Sequence, residues 1–144
     1  MYGRNLTKIP LVFRNINRGY FICGGNRLTS LEGCPEKVRR YFNCNNNKLT
    51  SFEYCPKYIG GDFNCGHNSI TSFDHCPESI GGIFYCNNNP IYHLWKLFGN
   101  YNKIELFNDY DIIRGDSIVL DRLNSFLMDI DKPTVEKVEY YKII

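Results

Sequence analysis

The sequence predicts an α/β protein: a short solenoid whose parallel β-sheet repeats every 21 residues, closed by a helical C-terminal cap. Three observations predict it. The seven cysteines, Cys23, Cys34, Cys44, Cys55, Cys65, Cys76 and Cys86, are spaced 11, 10, 11, 10, 11 and 10 residues apart, two to each period of 21. Around them one pattern recurs without a gap, in "GYFICGGNRLTSLEGCPEKVR", "RYFNCNNNKLTSFEYCPKYIG", "GDFNCGHNSITSFDHCPESIG" and the degenerate "GIFYCNNNPIYHLWKLFGNYN". Beyond residue 90 the apolar residues change to helical spacing.

Each column of the repeat has a physical reading. Phe21, Phe42, Phe63 and Phe84 stand two residues before Cys23, Cys44, Cys65 and Cys86, which is strand periodicity with both columns on one face. Leu28, Leu49, Ile70 and Ile91 form a further apolar column, Leu31, Phe52, Phe73 and Leu94 another, and Val38, Ile59 and Ile80 close the coil after the Cys-Pro corner. One 21-residue unit cannot bury these residues by itself, but stacked units can. Asn26, Asn47, Asn68 and Asn89 follow each strand cysteine by three residues. Their amides are expected to satisfy backbone groups inside the turn leaving the strand. The pairs Thr29-Ser30, Thr50-Ser51 and Thr71-Ser72 are expected to do the same on the return side. Gly60-Gly61 and Gly81-Gly82 fall at equivalent places and read as turn residues.

The ends need covers. Residues 1–18 read as an N-terminal capping coil: "NLTKIP" mimics "RLTSLE", and Ile16 falls where Val38 does. The first strand is expected near residues 20–24, within an array spanning residues 19–91. Residues 92–144 read as a helical cap. Leu94, Leu97 and Phe98 lie at helical spacing. A stronger helix is expected in "DSIVLDRLNSFLMDI", with Asp116 or Ser117 as its cap and Ile118, Leu120, Leu123, Phe126, Leu127 and Ile130 on its apolar faces. "DKPTVEKVEYYKII" offers a further short helix with Pro133 in its first turn.

The core "F-x-C-x-x-N-x-L" resembles the leucine-rich repeat core L-x-L-x-x-N-x-L, and "NKLTSF…CP" resembles short bacterial leucine-rich units carrying N-x-L-T-x-L-P. Phe and Cys replace the strand leucines, the spacing from Val38 to Phe42 is one residue longer than usual, and Cys-Pro replaces Leu-Pro. The chain as a whole, tail included, is similar to the Cys- and Asn-rich leucine-rich repeat proteins of bacteriophages and large DNA viruses. That resemblance implies a viral source, with the host cytoplasm as location and inhibition of a host defence protein as a role.

The remaining chemistry is sparse. The cysteines contain no C-x-x-C pair and their spacing is not that of a zinc site, so they read as small buried apolar residues with no metal and no disulfide. His67, His75 and His93 have no recognisable nucleophile partner, and there is no phosphate-binding glycine loop. No enzyme activity and no cofactor are expected. No apolar run is long enough for a membrane span, and the start of the chain makes a poor signal peptide, so a cytoplasmic protein without a membrane partner is expected.

What remains is a binding face. Residues between the inward strand positions must point outward: Tyr20, Tyr41, Asp62 and Ile83 in one column, Ile22, Asn43, Asn64 and Tyr85 in the next, then Asn45, Gly66 and Asn87, then Asn46, His67 and Asn88. The mixture suits recognition of a protein partner, host or viral, with Tyr20, Ile22, Arg39, Arg40, Tyr41, Asn43, Asp62, Asn64, His67, Ile83 and Tyr85 as the candidate contact residues. Charge suggests a second reading. Residues 1–58 carry 10 Lys and Arg against 3 Asp and Glu, whereas residues 59–144 carry 7 against 12. Arg14, Arg18, Lys37, Arg39 and Arg40, with Tyr20 and Tyr41 beside them, make nucleic acid the alternative partner. Self-association through an open sheet edge is a third.

Overall fold

The computed structural model describes residues 1–10, 13 and 19–144. The predicted Ile16 equivalence and the cations Arg14 and Arg18 lie outside the described residues. Two parallel sheets of two-residue strands recur along the chain with a 21-residue offset. The first has strands β1 (Phe21–Ile22), β3 (Phe42–Asn43), β5 (Phe63–Asn64) and β7 (Phe84–Tyr85), in the order β1-β3-β5-β7. Register sets Phe21 against Phe42, Phe42 against Phe63 and Phe63 against Phe84.

The second sheet was not foreseen. Val38, Ile59 and Ile80, expected only to close each coil, sit in β2 (Lys37–Val38), β4 (Tyr58–Ile59) and β6 (Ser79–Ile80), ordered β2-β4-β6. In the first two of these strands one residue points out and the next is buried.

The inward columns behave as the alternation requires. Phe42, Phe63, Cys23, Cys44 and Cys65 are fully buried, and the phenylalanine rings stack rung on rung, with centroids 5.4 Å apart from Phe42 to Phe63 and again from Phe63 to Phe84. The asparagine column does the work expected of it. Asn47 Oδ1 accepts from the Leu28 amide at 3.0 Å, while its Nδ2 donates to the carbonyls of Cys23 and Cys44 at 3.1 and 3.0 Å. Asn68 and Asn89 repeat this one and two units on. Of each Thr-Ser pair it is the serine that serves: the hydroxyls of Ser30, Ser51 and Ser72 accept from the amides two residues ahead.

The glycine pairs are needed for a reason other than the turn conformation first read into them. None of Gly60, Gly61, Gly81 or Gly82 has positive φ. The left-handed positions of each unit are instead Gly25, Asn46, His67 and Asn88 at one corner and Gly33, Tyr54 and His75 at another. A Cβ on Gly60 would collide with the Arg39 carbonyl oxygen, and one on Gly61 would lie 2.8 Å from that of Arg40. Neighbouring units approach here through bare backbone. Gly60→Ala is expected to destabilise the protein by about 2–3 kcal/mol, since backbone must shift to admit the methyl. Urea unfolding measures it, and an unchanged midpoint would show that the units can slide apart at this corner.

The N-terminal residues imitate a unit, as "NLTKIP" suggests. The Arg27 amide donates to the Leu6 carbonyl at 2.8 Å, as that of Lys48 does to Leu28, and Ile9 is buried. At the other end α1 (Tyr92–Phe98), a 3₁₀ turn (Tyr101–Lys103), α2 (Ile104–Asp109) and α3 (Leu120–Asp129) cover the last unit. Trp95 and Tyr101 pack edge-on against Phe84, at 4.9 and 5.3 Å, and Phe98 and Phe107 pack against Phe73.

The cap is not purely helical, and two expectations fail there. Asp116 and Ser117 do not cap α3. Ser117–Ile118 is strand β9, pairing antiparallel with β8 (Ile113–Arg114) and parallel with β10 (Lys142–Ile143), and α3 starts after Val119 without a side-chain cap. Ile118 is fully buried in that small sheet, so its burial comes from strand pairing and not from a helix face. The helix proposed for "DKPTVEKVEYYKII" is absent as well. Asn124 holds the segment extended by bonding both the amide and the carbonyl of Val135 at 2.9 Å. The Tyr141 hydroxyl donates to the Thr71 carbonyl, docking the tail on the third unit. Leu123, Phe126 and Leu127 do form the buried face of α3.

Candidate functional site

The outer face of the β1-β3-β5-β7 sheet carries the predicted columns, but its middle and its ends differ. Asn43 was expected to point to solvent and is 9% exposed. Its side chain folds back so that Oδ1 accepts from the Asn45 amide at 2.9 Å, a local Asx bond that alternation does not encode. Asn64 does the same with the Gly66 amide at 3.0 Å and is half-buried. Asp62 Oδ1 accepts from the Ile83 amide at 2.8 Å, so this carboxylate is engaged within the array. Tyr41 is half-buried. The middle rungs are therefore tied down by bonds of their own.

The outer rungs are exposed. Tyr20, just before β1, and Ile22 on it are 55% and 37% exposed, and Ile83, just before β7, and Tyr85 on it are 57% and 40% exposed. His67 stands at the strand exit with Asn88 Nδ2 3.0 Å from its Nε2. The face thus has an aromatic first rung, an amide middle and an apolar last rung, on a backbone held by in-register ladders.

Arg39 and Arg40 sit at the corner joining β2 to β3, apart from that last rung. Arg40 Nη1 donates to the Tyr20 hydroxyl at 3.0 Å and its guanidinium lies 5.7 Å from the Tyr20 ring centroid. The structure thereby joins Tyr20 and Arg40 into one cluster, with Arg39 the next residue of the chain, and leaves Ile83 and Tyr85 in another, three rungs from β1.

Among the described residues all seven cysteines are free thiols, and no group of three or more His, Cys, Asp or Glu is placed to hold a metal ion. Burial pushes the thiols of Cys34, Cys44, Cys55, Cys65 and Cys76 well above the usual thiol range and that of Cys86 up to about 12. A thiol kept protonated is a poor nucleophile. His93 pairs with Glu139, Nδ1 to Oε2 at 2.9 Å, which fastens the tail to α1.

One exposed residue escaped the sequence reading. Tyr58 is the outward residue of β4, beside Lys37 of β2, and its hydroxyl donates to Glu78 at 2.7 Å. The signal was the in-out pairing of Lys37-Val38 with Tyr58-Ile59, visible only once these residues are taken as strands. No helix among the described residues is long and apolar enough to cross a membrane. Compared with protein-family models, curated proteins and solved structures, the chain matches none.

Proposed function

We propose that the protein is a non-catalytic recognition module, a short solenoid of the leucine-rich-repeat type that binds a protein partner on the outer face of its β1-β3-β5-β7 sheet. The observation that carries this reading is the exposure of Ile83 and Tyr85 beside each other's columns on the last rung of an in-register ladder. Exposed apolar side chains mark interaction sites when they are contiguous, and these two stand two residues apart on one strand end. Tyr brings amphipathic contact area with little rotamer freedom to lose, and Asn43 and Asn64, whose Oδ1 atoms already accept backbone amides, keep their Nδ2 groups to donate to a partner.

The experiment is affinity capture followed by titration of the captured protein. Ile83→Asp and Tyr85→Ala are each expected to weaken binding at least about tenfold, the loss of a central anchor. Neither should move the urea midpoint by more than about 0.5 kcal/mol, as for exposed residues elsewhere. A partner retained at full affinity by the double variant would take the site off this end of the sheet.

A further inference from the structure

The corner between β2 and β3 is built unlike the rest of the array. The repeat places glycine at 60, 61, 81 and 82, because backbone from the preceding unit passes close by. In the unit before, the two corresponding positions hold Arg39 and Arg40, and the position preceding Arg40 by one period is Gly19. The backbone of Arg39 and Arg40 therefore lies against Gly60 and Gly61, and the next unit offers no side chain at those two positions. A shallow groove of about 310 Å³ runs alongside, with Lys37, Arg39, Tyr58, Gly60 and Ser79 in its walls and no carboxylate among its lining residues.

Three cations within four residues are left without an acidic partner. Among the described residues Lys37 and Arg39 form no ion pair, and the side chain of Arg40 bonds only the neutral Tyr20 hydroxyl. Two carboxylates stand on the Tyr58 side of the corner: Glu36 is paired with Lys57 at 3.5 Å, and Glu78 accepts from the Tyr58 hydroxyl at 2.7 Å and keeps its charge, so the positive end of the corner is at Arg39 and Arg40. Like charges so close repel, and a polyanion relieves the repulsion. The aromatic content decides which polyanion. Tyr20 and Tyr58 are exposed, and the Arg40 guanidinium already lies over the Tyr20 ring. Every nucleobase has a flat face that such rings and guanidiniums accept, whereas the centre of a protein interface is depleted in lysine.

We propose that this corner binds single-stranded nucleic acid, with Lys37, Arg39 and Arg40 neutralising phosphates, a base stacked at Tyr20 and Tyr58 available to the next. This site is separate from the protein-binding end of the sheet and does not rest on it. A single strand fits better than a duplex because the tyrosines need bases whose faces are open.

Fluorescence anisotropy with the full chain and a labelled short oligothymidine tests the proposal. Binding is expected at low salt, with log K falling against log salt at a slope of about −2, the value for three phosphates on a single strand. Lys37→Gln with Arg39→Gln should bring that slope to about −0.7, one phosphate remaining. Tyr20→Ala should lower affinity about fivefold or more with the slope unchanged, since it removes stacking and not charge. Lys48→Gln with Lys132→Gln, exposed cations elsewhere on the chain, should change neither, and Ile83→Asp should leave the oligonucleotide bound.

Absence of binding at low salt overturns the proposal. So does a matching duplex that binds as tightly, because backbone charge alone would then suffice. If a polyglutamate peptide competes equally and Tyr20→Ala has no effect, the corner belongs to an acidic protein. Loss of the oligonucleotide on Ile83→Asp would move the strand to the sheet face and leave the corner without a ligand.

Discussion

Asn68→Ala is expected to cost about 4 kcal/mol, a quarter or more of the roughly 5–15 kcal/mol by which an ordinary domain is stable. The Asn68 side chain makes three close bonds to backbone and a longer fourth to the Gly66 carbonyl at 3.4 Å: Oδ1 accepts from the Leu49 amide at 3.0 Å, and Nδ2 donates to the carbonyls of Cys44 and Cys65 at 3.1 and 3.0 Å. Leu49 and Cys44 belong to the preceding unit, so one amide joins two units. Leu49 and both cysteines are buried, so water cannot replace the lost partners without opening the stack. Each buried group left unpaired costs about 1–3 kcal/mol, and partial relaxation brings three of them to the figure above. Asn68→Asp should be no better: it keeps an acceptor for Leu49 but turns a carboxylate oxygen toward two carbonyls. Asn45→Ala is the contrast. Its Oδ1 is buried with no hydrogen-bond partner among the described residues, so removing it should be within about 0.5 kcal/mol of neutral or slightly stabilising. Urea midpoints of the three variants, at unchanged m-value, measure this. Equal losses for Asn68→Ala and Asn45→Ala would show that the ladder is no stronger than any other asparagine contact.

The same contrast shows what the sequence could and could not convey. Phe63, Cys65 and Asn68 were legible because their roles depend on alternation inside one unit and on the unit repeating in register. The second sheet was not, since strands as short as Tyr58–Ile59 give a single out-in step, too little to display a period. Gly60 and Gly81 suggested a turn because glycine usually marks one. The cause is the approach of Arg39 and Gly60 backbone from the preceding unit, which only stacking reveals. In the cap, local signals succeeded for α1 and for Leu123, Phe126 and Leu127. They failed around Ile118 and across the tail, where strand pairing with β8 and β10 and the Asn124 clamp on Val135 are contacts distant in sequence. The candidate site divides in the same way. Alternation placed Tyr20, Ile22, Ile83 and Tyr85 outside correctly, but the inward fold of Asn43 and the seating of Arg40 on Tyr20 depend on side-chain bonds that spacing does not record.

Alkaline solution should unfold the protein over a narrow range above about pH 9, and the interior thiols are the reason. Burial holds Cys34, Cys44, Cys55, Cys65, Cys76 and Cys86 protonated past the usual thiol range, Cys86 up to about 12, and the thiols of neighbouring rungs raise several of them further. In the unfolded chain each would ionise near its ordinary value of about 8.5. Between that value and the raised native ones the folded state binds more protons than the unfolded state. The stability these thiols contribute is therefore complete below about pH 8 and is lost as pH rises through the native values. One thiol gives a slope of about 1.4 kcal/mol per pH unit once it is ionised in the unfolded chain, so six give about 8. A domain stable by about 5–15 kcal/mol is exhausted within one to two units. Urea midpoints taken under reducing conditions should stay level to about pH 8 and then fall at a rate set by the number of buried thiols. Replacing Cys44 and Cys65 with alanine removes two of the six. The double variant should be weaker at neutral pH yet lose stability about a third less steeply above pH 9. A midpoint still level at about pH 10 would mean that the stack accommodates thiolates, and that the cysteine columns are not the dry interior their burial implies.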